Sequence, residues 1–177
     1  NRSVLGHMQI DLVEHCGASA AGQFVCTLTG TDGLSGWTEE EAVWGRGQEN
    51  TKDGLDRERE RCPFAWVEIH SDGGTEFINA HLYVYSQNTS LEFSRSRPYK
   101  KNDNCLVEQK NWTHVRKLVG YLRYDTIEEM NLLNTLYADM RLFKNFFQPV
   151  IKLLAKERVG GKLHRKYDKA RTPYQRI

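Results

Sequence analysis

The 177-residue sequence predicts an α/β domain built around a mixed sheet. Three strand-like segments come first, and later strand-like segments alternate with segments of helical period, an order typical of such domains. The composition, 39% hydrophobic and 27% charged, is that of an ordinary globular domain. No run of 18 apolar residues occurs and no signal peptide is recognisable, so we expect no association with a membrane.

The predicted strands differ in how clearly the sequence marks them. Residues 8–14 alternate, with Met8, Ile10 and Leu12 on one face and Asp11 on the other. Residues 23–30 are rich in β-branched and aromatic side chains, and turn residues at 31–36 lead into a third, antiparallel strand. This third strand comprises residues 37–44. Shorter apolar runs predict two further strands at 64–69 and 91–93.

Four segments are predicted to be helical. The first is a charged surface helix, and the others carry apolar residues at helical spacing; the ranges are 47–61, 75–86, 105–122 and 126–147. Beyond residue 156 the sequence is basic, contains Gly160-Gly161 and lacks an apolar period. We therefore interpret residues 1–155 as one domain and 156–177 as a basic linker or tail.

The four cysteines form no C-x-x-C pair, which favours reduced thiols over zinc ligands or disulfides. The overall net charge of +2 conceals an uneven distribution. Residues 95–123 and 156–177 each hold eight Lys/Arg against two acids, while the remaining residues hold nine against nineteen. An acidic body with two basic stretches suggests a polyanion bound along one side, although charge alone is equally consistent with a solvated surface.

Three acids occupy positions that a structural role explains poorly. Asp11 lies within an apolar strand, where an unpaired carboxylate is costly to bury. Asp72 follows a strand and precedes two glycines, and Glu108 lies in the first turn of a helix, on the face expected to pack on the sheet. A hard divalent cation is the natural partner of converging carboxylates, but spacing alone leaves caps, surface charges and ion pairs open.

The spacing and the surrounding segments resemble the D,D-35-E enzymes, which include retroviral integrases and bacterial insertion-sequence transposases. Sixty residues separate Asp11 from Asp72, and thirty-five separate Asp72 from Glu108. The resemblance covers nearly the whole chain, in the segments IDLVEH, TGTDGLSGWTE, IHSDGGTEFIN, SRPYKKNDNCLVEQKNWTHVRKLVGY, NFFQP and KYDKARTPYQRI. One departure is Gly73, where the family has Asn after the second acid.

The resemblance implies an RNase H-like fold, a mixed five-stranded sheet with helices on both faces, in which residues 1–155 are the catalytic core. It implies that Asp11, Asp72 and Glu108 are the catalytic residues and the ligands of two Mg²⁺ ions, which Mn²⁺ can replace. We expect Asp11 to contact both ions, Asp72 one and Glu108 the other. The tail would lead to a further C-terminal domain, and an end-recognition domain would precede residue 1.

The function implied is cleavage of DNA 3′ ends and strand transfer, in the cytoplasm of a bacterium, by at least a dimer on double-stranded DNA. The alternatives are an RNase H-like nuclease without strand transfer and a non-catalytic DNA-binding module, which Gly73 hints at. Contacts to DNA phosphates are expected from seven basic residues: Arg95, Arg97, Lys100, Lys101, Lys110, Arg116 and Lys117.

Other conspicuous side chains are assigned structural roles. Trp37, Trp112 and the aromatic residues at 145–147 are expected in the core rather than as platforms for DNA bases. His70 and His114 lie near the acids in sequence, but neither is assigned a catalytic role.

Overall fold

The computed structural model describes residues 4–72, 76–97 and 104–177, with the backbone alone at 76 and 77. Its centre is a five-stranded sheet with the order β3-β2-β1-β4-β5. The strands are β1 (His7–Glu14), β2 (Val25–Asp32), β3 (Thr38–Trp44), β4 (Glu68–Ser71) and β5 (Glu92–Arg95). β1, β2 and β3 pair antiparallel, whereas β4 runs parallel to both β1 and β5. The mixed five-stranded sheet is therefore confirmed.

β4 begins later than the segment 64–69 that the sequence predicts. Phe64 and Trp66 pack against the main apolar cluster from the loop before the strand, so their apolar character reflects burial without strand pairing.

One face of the sheet is covered by α1 (Gln48–Arg61) and α2 (Glu76–Thr89). Met8 and Ile10 of β1 pack there with Leu55 of α1 and Leu82 of α2 in the largest apolar cluster. Gly54 allows α1 to lie close to the sheet, because a Cβ atom at this position would be 2.8 Å from Cγ1 of Val43. The alternation predicted for the first strand thus matches the observed core.

The opposite face carries the remaining helices. The first is a continuous stretch composed of α3 (Cys105–Lys110), a π-helical segment (Asn111–Arg116) and α4 (Lys117–Val119). The second is α5 (Ile127–Leu142), which continues into a π-helical segment (Phe143–Phe147). A reciprocal capping box between Thr126 and Glu129 starts α5 by satisfying its first free N–H groups. Leu133 and Tyr137 then pack on Val25 and Ala42.

The aromatic residues expected in the core differ in their exposure. Trp112 is 49% exposed, because α3 places Val107 in the core and Trp112 lies on the same side of the helix as the exposed Glu108. Phe147 is exposed as well, whereas Trp37 is fully buried as predicted.

Regular structure extends through residues 156–177, where the sequence indicated a linker or tail. β6 (Leu153–Val159) and β7 (Lys162–Tyr167) make an antiparallel hairpin around Gly160-Gly161, and a 3₁₀ turn (Tyr174–Arg176) follows. The boundary placed after residue 155 falls within β6. Every residue of both strands is exposed, so there is no buried face to impose the alternation by which strands are recognised.

The cysteines are free thiols, and no helix in the described ranges has both the length and the apolar character needed to cross a membrane.

A buried carboxyl lies between α1 and the sheet. Glu58 is fully buried, and neither of its oxygens has a hydrogen-bond partner within the described part of the chain. Burial raises the pKa of Glu58 well above its usual value, and the carboxylate of Glu39 adds to that effect. The neighbouring acids Glu39 and Glu41 are instead paired with Arg61.

Glu58→Gln should therefore stabilise the protein at neutral pH. Because the folded pKa lies above the unfolded one, the cost of Glu58 is absent below about pH 4 and grows as the pH rises. We expect the substitution to raise Tm by roughly 3 °C at pH 7 and to leave it unchanged at pH 4. Tm would be measured by thermal melts followed by circular dichroism, with the exposed Glu60→Gln as control. Equal changes of Tm in the two variants would contradict the prediction.

Candidate active site

The register between β1 and β4 brings two of the predicted catalytic acids together. Ile10 pairs with Ser71 in the parallel ladder, so the residues that follow, Asp11 and Asp72, occupy neighbouring positions. Adjacent strands lie about 4.8 Å apart, so these two acids are neighbours in space although they are distant in sequence. Asn79 of α2 donates a hydrogen bond from Nδ2 to the Asp72 carbonyl at 3.1 Å, and this bond holds the end of β4 against α2.

Gln9 positions the helix that carries the third acid. Its Oε1 accepts hydrogen bonds from the backbone N–H groups of Leu106 and Val107, both at 3.2 Å. Gln9 and Asp11 share one face of β1, so docking α3 on Gln9 carries the helix across the face that bears Asp11. Glu108 is the next residue of α3.

Asn111, one turn beyond Glu108, joins this helix directly to Asp11. Its Nδ2 donates to Oδ2 of Asp11 at 2.6 Å, while the backbone N–H of Leu12 donates to Oδ1 at 2.8 Å. The side chain of Asn111 thus has its partner within the protein.

The electrostatics of Asp11 link the three acids. The pKa of Asp11 is raised to about 6, chiefly by burial and also by the carboxylates of Asp72 and Glu108, against the opposing effect of the bonds from Leu12 and Asn111. The carboxyl of Asp11 therefore interacts electrostatically with both of the other predicted ligands. Glu108 itself is exposed and does not pack on the sheet as the sequence indicated, because the helix places Val107 in the core instead.

The three predicted ligands have the chemistry that a metal ion needs, but their side chains are not grouped as a metal site in this structure. Three carboxylates offer the hard oxygen ligands that Mg²⁺ and Mn²⁺ prefer. Within residues 4–72, 76–97 and 104–177, however, no three His, Cys, Asp or Glu side chains are grouped so that they could hold an ion. The backbone register brings Asp11 and Asp72 to one region. Both oxygens of Asp11 already accept hydrogen bonds, so ion binding would require the acidic side chains to turn toward one another.

A second polar network lies on the same face of the sheet. Nδ1 of His114 lies 2.7 Å from Oε1 of the buried Glu40, and Nζ of Lys110 lies 3.3 Å from Nε2 of His114. Burial lowers the pKa of Lys110 to about 8 and also lowers the pKa of His114. Both ring nitrogens of His114 therefore have partners within the fold, and His70 bonds to Ser94 and Ser96. Lys110, expected to contact DNA, is directed at His114.

The other predicted DNA contacts differ in their availability. Arg95, Arg97 and Lys117 are exposed, and Lys117 lies over the Trp112 ring at 5.9 Å. Arg116 is engaged within the fold, where it donates to the carbonyls of Glu14 and Gly120 at 3.0 and 3.2 Å. Lys100, Lys101 and Gly73 lie outside the described residues.

The chain is similar to a curated protein in sequence and to solved structures in fold. No family model matches the chain. It is 38% identical over 167 residues to the uncharacterized protein y4rM of Sinorhizobium fredii (strain NBRC 101917 / NGR234), covering 94% of this chain and 48% of that protein. The chain thus spans about half the length of this curated relative.

Among solved structures, the catalytic core domain of BIV integrase matches with a TM-score of 0.60 and 13% identity, over 96% of this chain and 91% of that one. The chain has the RNase H-like α/β fold of an integrase catalytic core.

Asp11→Asn should stabilise the metal-free protein. The folded pKa of about 6 exceeds the usual 3.8, so the ionised carboxyl costs stability above pH 6, at most about 3 kcal/mol, and nothing below pH 3.8. Asparagine can still accept the bond from Asn111. In EDTA we expect Tm to rise by roughly 3 °C at pH 7.5 and to be unchanged near pH 3.5.

The control is the exposed Asp53→Asn, which should leave Tm unchanged at both pH values. A melting temperature for Asp11→Asn well below that of the wild type at pH 7.5 would show that Asp11 is a stabilising structural group.

Proposed function

We propose that this chain is the catalytic domain of a DNA transposase or integrase, which cleaves DNA to free a 3′ end and joins that end to target DNA. The observation that carries the proposal is the β1–β4 register, which sets Asp11 beside Asp72 beneath the helix of Glu108. The likeness to the BIV integrase core supports it, because the same fold serves that domain.

The proposed cofactor is a pair of Mg²⁺ ions, which Mn²⁺ can replace. Asp11, Asp72 and Glu108 would hold these ions. Such ions activate the attacking oxygen and stabilise the charge on the leaving one. The elevated pKa of Asp11 supports this assignment, since a cation would relieve the repulsion among the three carboxylates.

The residues of the chain would hold the acids and the DNA. Asn111 orients Asp11, Gln9 fixes α3 over the sheet, and Asn79 holds the end of β4. The exposed cations at Arg95 and Lys117 would attract phosphates without selecting a sequence.

The proposed reaction comprises two in-line displacements at phosphorus. In the first, a water oxygen forms a P–O bond as the bond from phosphorus to a 3′ oxygen breaks, leaving a 3′ hydroxyl. In the second, that hydroxyl forms a bond to a target phosphorus as a target P–O bond breaks. No covalent bond to the protein is needed. Double-stranded DNA is the substrate in both steps, and joining two ends would require at least two copies of the chain.

The catalytic assignment predicts that Asp11→Asn, Asp72→Asn and Glu108→Gln each abolish cleavage and joining while DNA binding survives. We expect losses of at least about a thousandfold, because the charge stabilisation supplied through such ligands is worth several kcal/mol. Cleavage of an uncut duplex and strand transfer from a pre-cut 3′ end would be measured separately, with Asp53→Asn as the control of equal charge change.

Two outcomes would contradict the proposal in different ways. Cleavage without strand transfer from the pre-cut end would identify a nuclease. DNA binding with neither activity, and with no Mn²⁺ uptake that depends on the three acids, would identify a non-catalytic DNA-binding domain.

A further inference from the structure

Hydrogen bonds and an ion pair fix the two ends of the hairpin formed by β6 and β7. The backbone N–H of Lys152 donates to Oδ1 of Asp168 at 2.6 Å, the N–H of Asp168 donates to the Lys152 carbonyl at 2.9 Å, and Arg176 pairs with Asp168 at 2.5 Å. Tyr174 then stacks on Phe146 with ring centroids 4.6 Å apart. Beyond these contacts, every residue of both strands is exposed.

The two faces of the hairpin differ in charge. Directly opposed residues of an antiparallel pair share a face. Lys156 is opposed to Arg165, and Arg158 to Leu163, so one face holds three cations and no acid. We call this surface, formed by these four residues, the basic face. The other face contains Glu157 opposite His164, together with Lys162 and Lys166.

The arrangement of the basic face is unfavourable for the hairpin itself. Like charges directly opposed on neighbouring strands destabilise the pair, and an isolated two-stranded sheet is only marginally stable. Across the described segments, Lys156, Arg158 and Arg165 form no ion pair with a carboxylate of the protein. A bound polyanion would remove the repulsion and supply the missing partner.

The basic face also adjoins the helix of the candidate active site. Lys156 lines a cleft of about 580 Å³ together with Gly33, Lys152 and the first residues of α3, Cys105 and Leu106. α3 is the helix that carries Glu108. A duplex lying along the hairpin would therefore extend toward the start of that helix.

We propose that the basic face binds the phosphate backbone of double-stranded DNA and serves as an arm that holds the duplex beside the catalytic domain. The proposal rests on the proposed function for the identity of the polyanion. Its physical basis is separate, namely three unpaired cations on one face of an exposed hairpin. The contacts would be made to phosphates, so they would be independent of sequence and sensitive to salt.

The test compares two double variants with the same change of charge. Lys156→Gln/Arg165→Gln removes cations from the basic face, and Lys162→Gln/Lys166→Gln removes them from the opposite face. The affinity for a labelled duplex of mixed sequence is measured by fluorescence anisotropy over a range of salt concentrations. EDTA is present, so the result does not depend on metal-dependent cleavage and stands even if the catalytic assignment fails.

We expect Lys156→Gln/Arg165→Gln to weaken binding about tenfold at moderate salt and to reduce the slope of log K against log salt by about two. The opposite-face variant should change both far less. The charge-conserving Lys156→Arg/Arg165→Lys should keep the wild-type affinity. Thermal melts should show no loss of stability in the basic-face variant, because the substitution removes a like-charge pair.

Equal losses in the two double variants, or no loss in the basic-face variant, would overturn the proposal. Polyglutamate binding that depends on the basic face while DNA affinity is unchanged would assign the face to an acidic protein. A change of sedimentation in the basic-face variant without DNA, again with unchanged DNA affinity, would assign it to a second copy of the chain. Either result also overturns the proposal.

Discussion

The parallel pairing of β1 with β4 is the constraint on which the rest of the candidate site depends. It aligns Ile10 with Ser71, and the next residue of each strand is an acid. Burial of Met8, Ile10 and Ile69 in one apolar cluster fixes this register. A slip by one residue would turn those side chains out of the core and move Asp11 to the opposite face. The energy that fixes the register therefore comes from the core, whereas the acids themselves repel one another.

That repulsion shapes the environment of Asp11. An acid whose pKa rises to about 6 through burial and two neighbouring carboxylates opposes folding at neutral pH. The amide of Asn111 and the backbone of Leu12 offset part of this cost. Catalytic groups are commonly placed where the fold penalises their charge, so this cost supports a functional role for Asp11. Glu58, whose carboxyl has no hydrogen-bond partner among the described residues, shows that a raised pKa alone does not identify such a site, since it lies in the core between α1 and the sheet.

The sequence predicted most of the fold because its helices carry apolar residues at helical spacing and its first strands are β-branched and apolar runs, which β2 buries along its whole length. Asp11 was recognised as exceptional since it interrupts the apolar pattern of a strand, and the spacing of the acids supplied the rest of the hypothesis. Period alone could not reveal which face of α3 is buried, and the structure exposes Trp112, which was expected in the core. Period could not reveal the hairpin either, because neither of its faces is buried. The direction of a long side chain depends on tertiary contacts, and this is why Lys110 was assigned to DNA rather than to a partner within the protein.

Diffraction from crystals soaked in Mn²⁺ is the decisive test of whether Asp11, Asp72 and Glu108 together hold metal ions. We expect two anomalous peaks about 4 Å apart, with oxygens of all three carboxylates as ligands. Carboxylate oxygens that stay more than about 10 Å apart in the soaked crystal, too far to share such a pair of ions, would contradict this expectation.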